Sequence, residues 1–149
     1  MFLTLAVICV LALCQLIAIG FKRKTGQNEL EQQSITPEAL HTLLTSNQKV
    51  LLFDVRQPLD LLADPEIITG ATRIPPNDLL KNPSLIPKER ATVVYCTCPG
   101  DETSRIISKR AQALHFSQMK FLKGGLAAWK AKGYPVEPYE MPFHLDTRT

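Results

Sequence analysis

The chain has 149 residues, 21% of them charged, with a formal net charge of +3. That length suits one compact domain plus an appendage. The charge pattern excludes a nucleic-acid surface: no basic stripe carries interleaved aromatics, and the one dense basic cluster is Lys22-Arg23-Lys24.

The first element is Met1–Phe21, MFLTLAVICVLALCQLIAIGF, which has no charged side chain. A helix of about 20 residues spans about 30 Å, the thickness of a hydrocarbon core, so this run predicts a single transmembrane helix. A cleaved secretory signal would carry its positive charge before the run and a small-residue cleavage site after it. Here the charge follows the run, and Leu13 before Cys14 does not suit a lipoprotein signal. The expectation is an uncleaved anchor, with Gln15 a tolerated mid-span amide. Lys22, Arg23 and Lys24 follow the span and no basic residue precedes it. The positive-inside rule then puts the N-terminus outside and the body of the protein in the cytoplasm. Thiols stay reduced there, so Cys96 and Cys98 are not expected to form a structural disulfide, and Cys9 and Cys14 read as apolar filler.

Residues 22–33 read as a basic and polar tether; its last nine residues reach about 30 Å at most when fully extended. The compact domain is expected over 34–138. Thr36 suits a helix N-cap, Pro37 the first helical position and Glu38 the first turn, with Leu40, Leu43 and Leu44 on one face. Lys49–Val55, KVLLFDV, is a short continuous apolar run of the kind buried on both faces of a parallel sheet. Ala71–Pro75 and Ala91–Cys96 are further strand candidates. Ser104–His115 predicts a helix with Ile106, Ile107, Ala111 and Leu114 apolar, Met119–Leu122 a last strand, and Gly124–Gly133 a helix framed by glycines. From Tyr134 on, the Pro-rich chain reads as irregular, with 139–149 a tail outside the domain. Strands alternate with helices and no hairpin signal joins them, which argues for an α/β fold with a mainly parallel sheet. Ligands of such sheets sit at the carboxyl ends of the strands, where Cys96 falls.

The stretch Cys96-Thr97-Cys98-Pro99-Gly100-Asp101-Glu102-Thr103-Ser104-Arg105 therefore concentrates the chemistry. A thiolate is the working form of a cysteine nucleophile, and a helix N-terminus or a cation favours it. The loop offers backbone N–H groups, the following helix its positive end, Thr103 and Ser104 hydroxyls, and Arg105 a charge. Asp101 and Glu102 oppose an anion site and suit the helix terminus instead. A tyrosine-phosphatase-type loop needs its cysteine and arginine closer than the six residues between Cys98 and Arg105 or the eight between Cys96 and Arg105. Zinc would need ligands beyond Cys-x-Cys, and His41, His115 and His144 are scattered, so no metal is expected. A Cys-x-Cys redox pair would be strained by its spacing. An inert strand-end thiol is the bland alternative.

Four elements in order carry a family resemblance over about Ser34 to Pro138. FDVRQP (Phe53–Pro58), TGATRIP (Thr69–Pro75), VVYC (Val93–Cys96) and LKGGLAAWKAKGYPV (Leu122–Val136) resemble the conserved elements of a single rhodanese-like domain. The resemblance implies a parallel five-stranded sheet flanked by helices. It implies a sulfurtransferase that needs no cofactor, in which a cysteine takes the outer sulfur of thiosulfate or another sulfane donor as a persulfide and passes it to a thiol or protein acceptor. It places the nucleophile at Cys96. Cys98 is the alternative nucleophile, a resolving thiol or a wall of the loop. Asp54 and Arg56 serve either as a loop-fixing ion pair or as substrate contacts. Leu126 and Trp129 are expected to pack the last helix, Gly124 and Gly125 to allow a close turn, and Tyr95 to lie in the core. The loop is longer than the family's usual one, and its acidic residues disfavour the thiosulfate dianion, so a persulfide carrier is the expected donor. A subset of bacterial, membrane-linked rhodanese domains has a similar loop, which suggests a bacterial inner membrane. Two other classes stand beside this reading: a catalytically silent docking module of a membrane complex, and a Cys-x-Cys thiol redox protein.

Overall fold

The computed structural model describes residues 15, 32–46, 48–97, 102–116 and 118–140, the side chains of 102–105, 108 and 112 aside. The chain divides into two compact units, Met1–Gln32 and Gln33–Thr149. Among the described residues no helix is long and apolar enough to cross a membrane. The apolar run Met1–Phe21, apart from Gln15, lies outside the described residues.

The second unit opens with strand β1 (Ser34–Ile35) and helix α1 (Pro37–Thr45). Thr36 caps α1 as its sequence suggests: the Ala39 N–H donates to Thr36 Oγ1 at 3.2 Å, and Pro37 stands where a helix needs no N–H. Strand β2 (Leu51–Asp54) leads through helix α2 (Pro58–Ala63) to β3 (Glu66–Ile68) and β4 (Thr72–Arg73). Helix α3 (Pro76–Lys81) and a 3-10 turn (Pro83–Leu85) precede β5 (Thr92–Tyr95), which feeds helix α4 (Glu102–Ala113). Strand β6 (Met119–Leu122), helix α5 (Gly125–Ala131) and β7 (Val136–Pro138) complete the described elements.

Five strands form one parallel sheet in the order β1-β6-β5-β2-β4. Interior strands β2 and β5 are largely buried on both faces, while β6 is interrupted by the exposed Lys120. On one face Leu52, Val93, Tyr95 and Leu122 pack against Leu40 of α1 and against Leu126 and Trp129 of α5. The Trp129 indole is wholly buried, and its Nε1–H donates to the Pro135 carbonyl at 3.0 Å, so its one polar atom is satisfied. Around α3 and α4, Leu79, Ile107, Ala111, Phe116 and Met119 form a second apolar group.

Two expectations need correction. The chain after Tyr134 is not wholly irregular: Val136–Pro138 pairs antiparallel with Glu66–Ile68, a second sheet of two short strands. Pro138 is tolerated because it stands at the end of an edge strand. The helix expected over Ser104–His115 runs instead from Glu102 to Ala113, and His115 adopts φ 63°, which cannot continue a helix. Of the apolar residues on that helix, Ile106 is 51% exposed, while Ile107 and Ala111 face inward.

Candidate functional site

Cys96 follows β5, the middle strand of the five, at its carboxyl end. Six residues, 96–101, separate that strand from α4, so the positive end of the helix opens at the same edge of the sheet. Cys96 itself is 1% exposed. Its carbonyl oxygen accepts a hydrogen bond from the Leu126 N–H at 3.1 Å. That contact requires glycine on the approaching turn. Gly124 and Gly125 have φ 72° and 55°, and a Cβ on Gly125 would overlap the Cys96 carbonyl oxygen. The Gly-Gly element of the sequence is thus a close-approach device. It pins the peptide that carries the thiol.

Thr97 continues from the cysteine. Its Oγ1 is buried and has no hydrogen-bond partner, the one such side-chain atom among the described residues. A buried hydroxyl left unpaired costs about 1–3 kcal/mol. Orphaned groups of this kind in native structures call for an explanation. Of the other loop residues singled out from sequence, Cys98, Pro99, Gly100 and Asp101 lie outside the described residues. Glu102, Thr103, Ser104 and Arg105 form the first turn of α4, and their side chains lie outside the description.

Asp54 and Arg56 stand beside the cysteine strand: β2 pairs with β5 so that Asp54 faces Tyr95, the residue before Cys96. Both are fully buried and bond inward. Arg56 Nε donates to Asp54 Oδ2 at 2.8 Å, and the Arg56 backbone N–H donates to Asp54 Oδ1 at 2.9 Å. Arg56 Nη1 and Nη2 donate to the carbonyls of Asp64 and Glu66 at 2.9 and 2.7 Å. The guanidinium thus ties the end of β2 to the start of β3. The pair is a brace in this structure, with no surface turned to solvent.

Two further residues of this brace did not stand out in the sequence as site residues. Arg73 of β4 lies level with Asp54 and donates from Nη1 to the carbonyls of Asp54 and Ile74 at 3.0 and 2.9 Å. The Tyr95 hydroxyl accepts the Ile68 N–H at 3.0 Å and so fastens β3 over the sheet. Burial pushes the Tyr95 phenol well above its ordinary range, and the Asp54 charge adds to the effect. The signal was present in β-type runs ending in a polar residue, but only the strand register brings those ends together.

Comparison with known proteins agrees with this fold. The rhodanese-like domain model matches residues 36–132. The probable adenylyltransferase/sulfurtransferase MoeZ of Mycobacterium tuberculosis is 33% identical over 104 residues, covering 68% of this chain and 26% of that protein. The chain thus spans about a quarter of the length of that relative. A sulfurtransferase of Allochromatium vinosum is 28% identical over 102 residues, covering 68% of this chain and 92% of its own. Among solved structures, the Alr3790 protein of Anabaena sp. is 30% identical with a TM-score of 0.60, covering 70% and 82% of the two chains. A full-length protein from Lactobacillus plantarum shares the fold alone, at 21% identity and a TM-score of 0.68 over 80% and 98% of the chains. From the parallel sheet, the cysteine at the end of its middle strand and the Gly-Gly turn that grips it, together with the matched span, it follows that this chain belongs to the rhodanese-like domain family.

Proposed function

We propose that the protein is a membrane-anchored sulfurtransferase in which Cys96 carries sulfane sulfur as a persulfide. The observation that carries this reading is the position of Cys96. It stands at the carboxyl end of the middle strand, its peptide is held by the Gly125–Leu126 turn, and α4 opens just beyond it. In the first half-reaction the Cys96 thiolate attacks the outer sulfur of a donor. The donor's S–S bond breaks, its electron pair leaves on sulfite or on the donor thiolate, and a Cys96 S–S bond forms. In the second half an acceptor thiolate attacks the same outer sulfur, and Cys96 leaves as a thiolate. Nothing is oxidised or reduced overall, so no cofactor is required. Loop N–H groups and the helix end would hold the charge that develops, as in an oxyanion hole. The Thr97 hydroxyl has no competing partner and can turn to the same sulfur.

Asp101 and Glu102 support a persulfide carried by a thiol or a protein over the thiosulfate dianion. The apolar run Met1–Phe21 followed by Lys22-Arg23-Lys24 supports a single-pass anchor with the N-terminus outside and the domain in the cytoplasm of a bacterial inner membrane. The enclosure of Cys96 is the one observation that favours the second reading, a silent docking module.

The test is sulfur transfer by the full-length chain to cyanide, read as thiocyanate, with glutathione persulfide or thiosulfate as donor. Turnover that is faster with the persulfide, and that Cys96→Ser abolishes while Cys98→Ser spares, is the expected result. No turnover with either donor would leave the docking module. Oxidation that links Cys96 to Cys98 in place of sulfur transfer would leave the redox protein.

A further inference from the structure

Apart from the cysteine, the domain has an open surface hollow of about 440 Å³ beside edge strand β4. Its apolar lining is Ile67, Ala71 and Pro138; its polar lining includes Arg73, Tyr139 and Glu140. The Arg73 side chain is only 7% exposed. Its Nη1 is engaged by two carbonyls, and among the described residues no hydrogen bond uses its Nε or Nη2. Among the described residues the carboxylate paired with it, Asp54, is already matched by Arg56 at 2.7 Å and stands 3.9 Å from Arg73 Nη1. Two guanidinium groups therefore share one carboxylate, and a positive charge is left over at the hollow. Burial pulls the Arg73 guanidinium below its ordinary range, the sign of a cation short of solvent. The opposite sign is supplied by Glu140, which is exposed.

We propose that this hollow binds a small zwitterion of the α-amino acid class. The carboxylate would take the free edge of Arg73, the ammonium group would face Glu140, and an aliphatic side chain would lie against Ile67, Ala71 and Pro138. A planar guanidinium binds a carboxylate through two parallel hydrogen bonds, which fixes orientation as well as charge. A plain carboxylate meets repulsion from Glu140, and a plain amine meets repulsion from Arg73. Only a ligand with both signs uses both groups. This site and its test are independent of the sulfur chemistry proposed for Cys96.

The experiment is a titration of the isotope-labelled full-length chain, followed by amide NMR shifts, with three probes: leucine, isocaproate and isopentylamine. Leucine is expected to shift the amides of Ile67, Ala71 to Arg73 and Tyr139 to Glu140. Each truncated analogue should bind at least about tenfold more weakly, the loss of roughly one charged contact. Glu140→Gln, an exposed change that leaves the fold alone, should bring leucine down to the level of isocaproate. Arg73→Lys keeps the charge without the fork and should weaken leucine about tenfold. The proposal is overturned if saturating leucine leaves these amides unmoved, if isopentylamine binds as well as leucine, or if Glu140→Gln changes nothing.

Discussion

Two neighbouring regions at the carboxyl edge of the sheet are built on opposite terms. The brace of Asp54, Arg56 and Tyr95 is fully buried and bonded throughout: carboxylate to guanidinium, guanidinium to two carbonyls, phenol to a backbone N–H. Directly after Tyr95, at the carboxyl end of β5, Cys96 and Thr97 carry a buried hydroxyl that bonds nothing. Fully satisfied polar networks rigidify, whereas an unpaired buried polar group costs stability. The difference separates a fully bonded brace from a strand end that keeps an unused hydrogen-bonding group. It also predicts that substitutions in the two regions fail in different ways.

The largest effect should come from the brace. Asp54→Ala leaves the Arg56 charge buried without its partner and should cost about 3–5 kcal/mol of stability, measured by urea unfolding. A loss below about 1 kcal/mol would show that the pair is solvated in solution and is no brace. Next is Gly125→Ala, which places a Cβ against the Cys96 carbonyl oxygen and an alanine at φ 55°. The backbone conformation alone costs about 1–2 kcal/mol, before the overlap is relieved. Because the displaced peptide is that of Cys96, sulfur transfer should fall in the fraction that remains folded.

Tyr95→Phe should be milder, about 1–3 kcal/mol, since it orphans the Ile68 N–H. It also carries a sign in pH. The folded phenol titrates above its ordinary range, so above a pH of about 10, where an unfolded tyrosine ionises, the unfolded chain sheds a proton that the folded chain keeps. Stability therefore falls as pH rises through that window, and Tyr95→Phe should flatten the slope. An unchanged slope would remove Tyr95 from the brace. The smallest stability effect belongs to the Cys96–Thr97 end. Thr97→Val removes an unpaired hydroxyl at nearly constant volume and should leave stability unchanged or raise it by about 1 kcal/mol. Sulfur transfer should nevertheless drop about tenfold, one charge-assisted hydrogen bond, and Thr97→Ser should restore it. A Thr97→Val protein that is destabilised yet fully active would reverse the contrast between the regions.

Much of the fold could be read from residue order. The mainly apolar runs at Leu51–Asp54, Thr92–Tyr95 and Met119–Leu122 are strands, with Lys120 the one exposed residue among them, and Thr36-Pro37 marks a helix start that the structure keeps. What could not be read is whatever depends on partners distant in sequence. Glu66–Ile68 and Val136–Pro138 are three residues each, and the second lies among prolines, so neither has a period to detect. Helices Pro58–Ala63 and Pro76–Lys81 span six residues each, under two turns, too short to establish an apolar face. Leu59 and Leu62 illustrate this: both are apolar, yet they are 71% and 60% exposed while Leu61 between them is buried. At the site, the position of Cys96 and the need for Gly125 were legible from strand-end and Gly-Gly spacing. The unpaired Thr97 hydroxyl and the engagement of Arg73 with Asp54 were not, because both are facts of three-dimensional neighbourhood.

The measurement that bears most directly on the account is the intact mass of the full-length chain after exposure to a sulfane sulfur donor. The account predicts the gain of one sulfur atom, lost on treatment with a thiol acceptor, absent in Cys96→Ser and retained in Cys98→Ser. An adduct that survives in Cys96→Ser, or a wild-type chain that takes up no sulfur from any donor, would contradict it.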